Sequence, residues 1–456
     1  MISISKSKQK LLPPGPRSPM ALQTLQWLKN PVPFLEACGA RYGEMFTLKL
    51  PTQWPVVVVQ HPEAVKEVFA LDSNAGHAGE ANNILKPFLG KYSLLVLDGE
   101  EHMRQRKMMM PAFHGERMEA YGHAMIDAAH ASIDAWPVGS PFGVHAPMQA
   151  ITLQVILRTV VGMTDGPLLA ELEALYPQVI DAASAPAMHF ELFRKDLGPW
   201  SPWGKFKRRS ARGKEIMIHE IRRAREKGTA GRTDVLAMII DAKDENGELL
   251  TEDEIHGELM TLLVAGHETT ATALCWALRW LLRDAALTRR VAEEAAEVAD
   301  DPVKIAKSEL LDRVVKEALR LQPIGPVVAR VLKQPLTIQG RELPADVMVA
   351  PCVQLLHHRP SLYPEPTRFD PDRYATFTPK PWEFIPFGGG LRKCIGAAFS
   401  MYEMKMVLAT AFSRLSMELA TDDIKIIRRG VTLAPSGGLP LVIRKKSPRA
   451  TKPIAA

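Results

Sequence analysis

The sequence predicts a mainly α-helical protein with a small β portion, folded as a single domain. Helix-forming residues dominate the middle of the 456-residue chain, whereas β-branched runs such as VVVV lie nearer its ends. The proline-rich stretches at 11–19 and 358–371 are short and mixed with apolar residues, so they do not divide the chain. We expect a flexible segment at 1–12, a folded domain at 13–443 and a basic, disordered tail at 444–456.

Local signals place the elements in order along the chain. β-branched and alternating residues predict two strands, in EMFTLKL and PVVVVQ, and Pro62 opens the helix that follows. GEEHMRQRKMMM begins a helix that Pro111 ends or bends, and amphipathic helices are expected within 117–241. The last expected elements are three short strands and a helix, at 327–331, 336–338, 347–350 and 395–415.

Two further helices can be placed by their first residues. Thr251 and Glu254 form a capping box, which starts a long apolar helix. Its stretch at 259–282 approaches membrane-spanning length, but a glycine and charged residues interrupt it, so we expect a buried central helix. Ser308 caps the second helix, which stops before Pro323.

Composition and charge exclude several classes of protein. The net charge of +6 comes from lysines and arginines that are spread along the chain without a nucleic-acid-binding signature. The first residues, MISISKSKQK, lack the apolar core of a secretory signal or membrane anchor, so we expect a cytoplasmic protein. Close cysteine pairs are absent, which argues against zinc ribbons and a disulfide framework; the cysteines are Cys38, Cys275, Cys352 and Cys394.

One set of cations, from two separate segments, is expected to lie near a single site. We expect this group to attract an acidic protein partner; its members are Arg104, Arg106, Lys107, Arg392 and Lys393.

Cys394 lies in FGGGLRKCIG, after three glycines and two cations and at the start of the last helix. Unsatisfied N–H groups and the neighbouring cations are expected to favour its thiolate. The thiol could be a core residue or a nucleophile with a histidine base, whereas a zinc site lacks nearby companions. An axial thiolate to haem iron needs one cysteine, a backbone that approaches closely through Gly388 and its neighbours, and hydrogen-bond donors, so it uses every feature of the stretch.

The central helix carries AGHETT, at 265–270. A glycine inside a helix costs on the order of 1 kcal/mol of stability relative to alanine, so Gly266 needs a reason. That reason is either close packing against another helix or room for a nearby ligand. A zinc-protease motif would need a second histidine at 271, which is alanine. The hydroxyl of Thr269 beside the carboxylate of Glu268 could instead hold water and deliver protons to dioxygen.

Other charged pairs share a helix face. Glu317 and Arg320 are three residues apart and can pair, while His102 and Arg106 are four apart and can both donate to a carboxylate.

FGGGLRKCIG resembles the haem-binding signature of the cytochrome P450 family, and AGHETT resembles its acid–alcohol motif. With PEPTRFDPDR and EHMRQR in family order, the likeness runs from about Pro13 to about Pro440. It implies that 13–443 is a cytochrome P450 domain, with haem b between the central helix and the helix after the cysteine loop.

The resemblance also implies roles for individual residues. Cys394 would be the iron ligand, with Phe387 under the sulfur and Gly396 allowing close passage beneath the porphyrin. Thr269 and Glu268 would manage proton delivery, and Ala265 and Gly266 would line the distal pocket. The propionate-binding residues would be His102, where many members carry tryptophan, Arg106, Arg330 and Arg392. Arg368 would join Glu317 and Arg320 in a buried structural triad, and the substrate pocket would include Ala265, Val327, Val328 and Leu433.

The implied activity is a monooxygenase reaction that hydroxylates or epoxidises a lipophilic substrate with O2. We expect a terpenoid, steroid, fatty acid or polyketide-like compound as substrate, and a monomeric enzyme without a membrane anchor. Electrons would come from a separate ferredoxin or flavodoxin with its NAD(P)H reductase. The rivals are a haem enzyme that uses no external electrons and a haem-based sensor.

Overall fold

The computed structural model describes residues 10–113, 117–185, 188 and 193–449, and it is mainly helical, as predicted. The α-helices are α1 (Met20–Lys29), α2 (Pro31–Tyr42), α3 (Pro62–Phe69), α4 (Ala78–Ala81), α5 (Lys86–Leu89), α6 (Gly99–Met109), α7 (Arg117–Asp134), α8 (His145–Ile156), α9 (Pro167–Ser184), α10 (Pro202–Lys227), α11 (Val235–Ile239), α12 (Glu252–Leu281), α13 (Ala285–Val298), α14 (Pro302–Lys307), α15 (Glu309–Leu321), α16 (Val353–His357) and α17 (Ala397–Arg414). A π-helical turn at Leu157–Val161 extends α8.

The strands are short and lie mostly towards the two ends of the chain. They are β1 (Met45–Leu48), β2 (Val56–Val59), β3 (Gly76–His77), β4 (Phe142–Gly143), β5 (Arg330–Leu332), β6 (Leu336–Ile338), β7 (Arg341–Leu343), β8 (Met348–Pro351), β9 (Leu415–Leu419), β10 (Ile426–Arg429), β11 (Thr432–Pro435) and β12 (Pro440–Lys446). The largest sheet has the order β1-β2-β8-β5-β3, with β2 and β8 parallel. The smaller sheets are β4-β12-β9 and the hairpins β10-β11 and β6-β7.

The long helix α12 runs through the main core. Both hydrogen bonds of its predicted capping box are present, because Thr251 N donates to Glu254 Oε2 (2.8 Å) and Glu254 N donates to Thr251 Oγ1 (3.2 Å). Most of its second half is buried, packed by α8, α15 and α17, and Thr269 is one of the few residues there that stay partly accessible. No helix in the described ranges is long and apolar enough to cross a membrane.

The expectation of a disordered tail at 444–456 is wrong for the first residues of that range. Strand β12 continues to Lys446, whose ammonium group donates to the carbonyls of Ile133, Asp134 and Trp136. Beyond the strand, Arg449 pairs with Asp127 at 2.7 Å. Residues 444–449 are therefore tied to the domain by hydrogen bonds, and 450–456, like 1–9, lie outside the described residues.

The buried ionic triad exists, but Arg368 is not its third member. Glu317 and Arg320 are both inaccessible and form two hydrogen bonds, of 2.8 and 2.9 Å. The additional partner is Arg373, whose Nε lies 3.0 Å from Glu317 Oε1. Arg368 points outward to the exposed Glu365 and contributes only its backbone carbonyl, which accepts a bond from Arg320. A 3₁₀ turn at Pro371–Ala375 directs Arg373 inward.

We predict that Arg373→Ala lowers the free energy of unfolding by about 3 kcal/mol, because it removes one cation from a buried carboxylate. The matched variant Arg368→Ala should stay within about 0.5 kcal/mol of the wild type, since its side chain is exposed. Urea unfolding followed by circular dichroism, at equal haem content, measures both. Equal losses in the two variants would contradict this assignment.

Candidate haem site

The cysteine loop folds back on itself through three backbone hydrogen bonds. Gly388 N donates to Ile385 O (3.0 Å), Lys393 N to Gly390 O (3.1 Å) and Cys394 N to Phe387 O (2.9 Å). Gly388 and Gly390 have φ values of 65° and 63°, which favour glycine. The loop places Cys394 just before α17, for which Gly396 is the N-cap.

The glycines of this loop have different roles from those expected. A Cβ on Gly389 would overlap the ring of Phe69, and one on Gly390 would overlap the Phe69 carbonyl, so both glycines serve packing against the end of α3. In contrast, a Cβ on Gly396 would have no described heavy atom within 4 Å. The open side of the loop is therefore at Gly396, next to Cys394.

Cys394 lines an interior space. Its surface is accessible, yet burial by surrounding protein raises the pKa of its thiol. The N–H of Gly396 and the charges of Arg106 and Lys393 offset only part of this effect. The expectation that the free side chain favours the thiolate is therefore wrong, and a thiolate here would need a metal cation in place of the proton.

Helix α12 has a matching accessible stripe. Ala265 and Thr269 lie one turn apart on one face and are partly accessible, whereas His267, Glu268 and Thr270 are buried. Thr269 Oγ1 donates to the Ala265 carbonyl at 2.5 Å, which holds the hydroxyl against the helix, while the α-helix itself runs on without interruption.

Gly266 serves helix packing. A Cβ at this position would approach Ile156 Cδ1 of α8 at 2.8 Å, which is closer than carbon atoms normally come. The alternative, that Gly266 leaves room for a ligand, does not hold on the side of α12 that faces Ile156.

The four residues predicted to bind propionates lie together in one largely buried group of three arginine cations and a histidine. Burial, together with the charges of Arg392, Arg106 and Arg330, lowers the pKa of His102 to about 3. Burial and the charge of Arg392 likewise lower the pKa of Arg330 to about 10.

Only part of this positive charge is compensated by neighbouring protein groups. Arg392 pairs with Asp98 (2.7 Å) and donates to the carbonyls of Leu94 and Leu97, while Arg330 donates to carbonyls, including that of Gly389. Among the described residues, Asp98 is the one carboxylate that forms an ion pair with this group. A buried cluster of this kind fits an anionic ligand with more than one carboxylate.

Glu268 is held in a network on the far side of α12 from the accessible stripe. Gln149 Nε2 donates to its Oε2 at 2.5 Å, while His145 Nε2 and Arg429 Nε lie 3.5 and 3.3 Å from Oε1. Burial alone would raise the pKa of Glu268, but the hydrogen bond and charge of His145, followed by the charges of Arg429 and His267, lower it overall. The carboxylate is therefore kept ionised inside the protein.

Apart from Ala265, which lies on the accessible stripe of α12, the three other expected pocket residues lie in three different surroundings. Val328 contacts the cysteine loop, with Cγ1 3.7 Å from the Cβ position of Gly388. Val327 forms a bridge with Cys352 and packs into a core cluster on the largest sheet. Leu433 is buried, and its carbonyl accepts a bond from Trp276 Nε1 at 2.8 Å.

Most of the basic group expected to attract a protein partner is already paired with acids. Arg104 forms ion pairs with Asp244 and Glu254, Lys107 with Glu245, and Arg392 with Asp98. Lys393 is exposed and has no ion pair within the part of the chain that the structure describes.

Sequence reasoning missed several residues of the site. Asp98 had a usable signal, because it directly precedes the GEEH start of α6, where an acidic cap is favoured. His145, Gln149 and Arg429 had none, since they reach Glu268 from distant segments.

Comparison with known proteins identifies the family to which the chain belongs. A family model for Cytochrome P450 matches residues 13–441. The chain belongs to the cytochrome P450 family. It is 41% identical over 413 residues to the putative cytochrome P450 135B1 of Mycobacterium tuberculosis, which covers 90% of this chain and 86% of that protein. It is 35% identical to the putative cytochrome P450 135A1 of the same organism over 94% of both chains.

Solved structures of cytochromes P450 share the fold. Retinoic acid-bound cyanobacterial CYP120A1 superposes with a TM-score of 0.82 over 95% of this chain and all of that one, at 24% identity. The haem domain of cytochrome P450DA superposes with a TM-score of 0.80 over 97% of this chain and 99% of that one, also at 24% sequence identity. The predicted single-domain, mainly helical P450 fold and the assignment as a cytochrome P450 monooxygenase are thus confirmed.

The residues of the site fit the haem-thiolate cofactor of this family. The accessible thiol of Cys394, the open space at Gly396 and the incompletely neutralised cations suit an iron porphyrin with acidic side chains.

Proposed function

We propose that this cytochrome P450 monooxygenase binds haem b through Cys394 and oxygenates a lipophilic substrate with electrons from a separate redox partner. The observation that carries the proposal is the thiol of Cys394, which is enclosed by protein yet accessible and lies close to a buried group of cations. When bound, the haem supplies the reductive activation of dioxygen.

The residues of the cation group divide the binding of the two haem propionates among them. Arg106, Arg330 and Arg392 supply charge and directed N–H groups, whereas His102 stays neutral because its pKa is about 3, and donates one hydrogen bond. Phe387 fixes the loop through its carbonyl, the positive φ of Gly388 turns the backbone, and Gly396 leaves space beside the sulfur.

Replacing the proposed iron ligand tests this assignment directly. Cys394→Ser should abolish the red-shifted Soret band of the reduced, carbon monoxide-treated protein, because an alcohol does not reproduce thiolate ligation. Cys352→Ser is the matched control, since Cys352 is fully buried in another core cluster, and it should keep the band. A Cys394→Ser protein with the wild-type band would refute the proposal.

Thr269 and Glu268 deliver protons to the oxygen side. Thr269 holds its hydroxyl at the accessible face of α12, and the Ala265 carbonyl orients it. Glu268 stays ionised beside His145 and Arg429 and can accept protons from solvent through water. Because Glu268 and Thr269 are adjacent on α12, a proton must pass from one side of the helix to the other through bound water or a rotation of the Glu268 side chain.

Thr269→Ala should raise the hydrogen peroxide released per NADPH consumed several-fold, because a slowed proton supply lets reduced oxygen escape. Thr270→Ala is the matched control, since the Thr270 hydroxyl contacts Ser400 and not the accessible face. The assay contains ferredoxin or flavodoxin with its reductase, and NADPH consumption should stop without them. Unchanged peroxide yield, or turnover without partner proteins, would favour the rival enzyme that needs no external electrons.

The substrate is a lipophilic molecule of the terpenoid, steroid, fatty acid or polyketide-like type. Support comes from the apolar residues next to the accessible space, which include Val264, Ala265 and Val328. A monomeric state and a cytoplasmic location remain predictions.

Titration of the ferric protein with a panel of such compounds should shift the Soret band to shorter wavelength for at least one of them, because an apolar ligand displaces water from the iron. Hydrophilic compounds of similar size serve as the control set. A shift that only the hydrophilic set produces would contradict the proposed substrate class.

A further inference from the structure

The positive charge of the chain is concentrated in one short segment. Residues 193–214 contain eight of the 57 lysines and arginines but only one of the 51 acidic residues, which gives this segment a net charge of +7. The whole chain carries +6, so the remainder is close to neutral, at −1. The expectation that the positive charge is spread along the chain is therefore wrong once the acidic residues are counted. The segment 193–214 dominates the electrostatic field of the protein.

The same segment exposes large apolar side chains. Phe193, Leu197 and Trp200 are 56%, 77% and 86% exposed, and the latter two are the most exposed large apolar residues among those the structure describes. Three such side chains lie within eight residues of the chain, unlike the isolated exposed leucines that most proteins carry.

Hydrogen bonds hold this feature against the first turns of α10. Leu197 N donates to Ser201 Oγ at 3.1 Å, and Arg208 donates to the Gly198 carbonyl at 2.6 Å. Lys207 pairs with Asp196, the one acid of the segment, at 3.1 Å. The apolar side chains therefore lie beside the basic helix.

Several cations in the segment remain uncompensated. Arg212 pairs with Glu171, and Lys214 pairs with Asp253. Lys195, Lys205 and Arg209, by contrast, have no ion pair with any residue in the described ranges. Lys195 and Lys205 are exposed and Arg209 is partly exposed, and all three lie within nine residues of Trp200 in the chain.

We propose that this surface, defined by Phe193, Leu197, Trp200, Lys195, Lys205 and Arg209, docks the protein peripherally on an anionic lipid membrane. Tryptophan and other large apolar side chains enter the boundary between headgroups and acyl chains, while lysine and arginine contact lipid phosphates. An acidic protein partner fits less well, because lysine is depleted at protein interfaces and the projecting apolar groups need an apolar phase. The proposal stands independently of the proposed function.

The test is co-sedimentation of the purified haem-loaded protein with lipid vesicles. The protein should bind phosphatidylcholine vesicles that contain phosphatidylglycerol, should bind phosphatidylcholine alone much more weakly, and should lose binding as salt is raised. Trp200→Ser and Lys205→Glu should each weaken binding to the anionic vesicles by about tenfold or more.

Matched variants separate this surface from general effects of charge and apolarity. Lys227→Glu reverses an exposed lysine on the same helix, about 33 Å from Lys205, and Val138→Ser removes an exposed apolar side chain elsewhere. Both should bind like the wild type, and all four variants should keep the reduced carbon monoxide spectrum.

The proposal is overturned if the wild type does not bind anionic vesicles, or if Trp200→Ser and Lys205→Glu bind as well as their controls. It is also overturned if the protein binds soluble polyglutamate through Lys205 but does not bind vesicles, because the cations would then serve an acidic protein.

Discussion

The haem site depends on an electrostatic constraint: three guanidinium groups and an imidazole share a buried region with one paired carboxylate. Removing charge from water without a partner is costly, and the lowered pKa values of His102 and Arg330 record that cost. A ligand with two carboxylates would remove most of it. Cofactor binding and folding stability should therefore be coupled, because a ligand that binds only the folded state stabilises it.

The sequence was sufficient wherever the chemistry is local. The capping box of α12 and the pairing of Glu317 with Arg320 both involve residues within a few positions of one another, so spacing alone determines them. Spacing in the sequence does not determine whether Arg368 or Arg373 is the third member of the buried triad. Both lie in the same proline-containing stretch, and only the 3₁₀ turn at Pro371–Ala375 decides which guanidinium faces Glu317.

Glycines show a second limit of sequence reasoning. A glycine can be required by a ligand or by packing, and the sequence does not distinguish the two. Gly389 and Gly390 are required by Phe69, and Gly266 by Ile156, whereas Gly396 faces open space. Phe69 and Ile156 are more than 100 residues from these glycines, so only the tertiary structure shows which neighbour fills the space.

Long-range partners also determine the charge of Glu268 and connect it to the surface. Burial would favour its neutral form, but His145 from α8 and Arg429 from the β10-β11 hairpin reverse that preference. Arg429 also pairs with Asp181 near the end of α9, at 3.0 Å. A displacement of the hairpin would remove Arg429 from both carboxylates, and the pKa of Glu268 would then rise. Because α9 and the hairpin carry this ion pair at the protein surface, the protonation of a residue adjacent to Thr269 is coupled to their relative position.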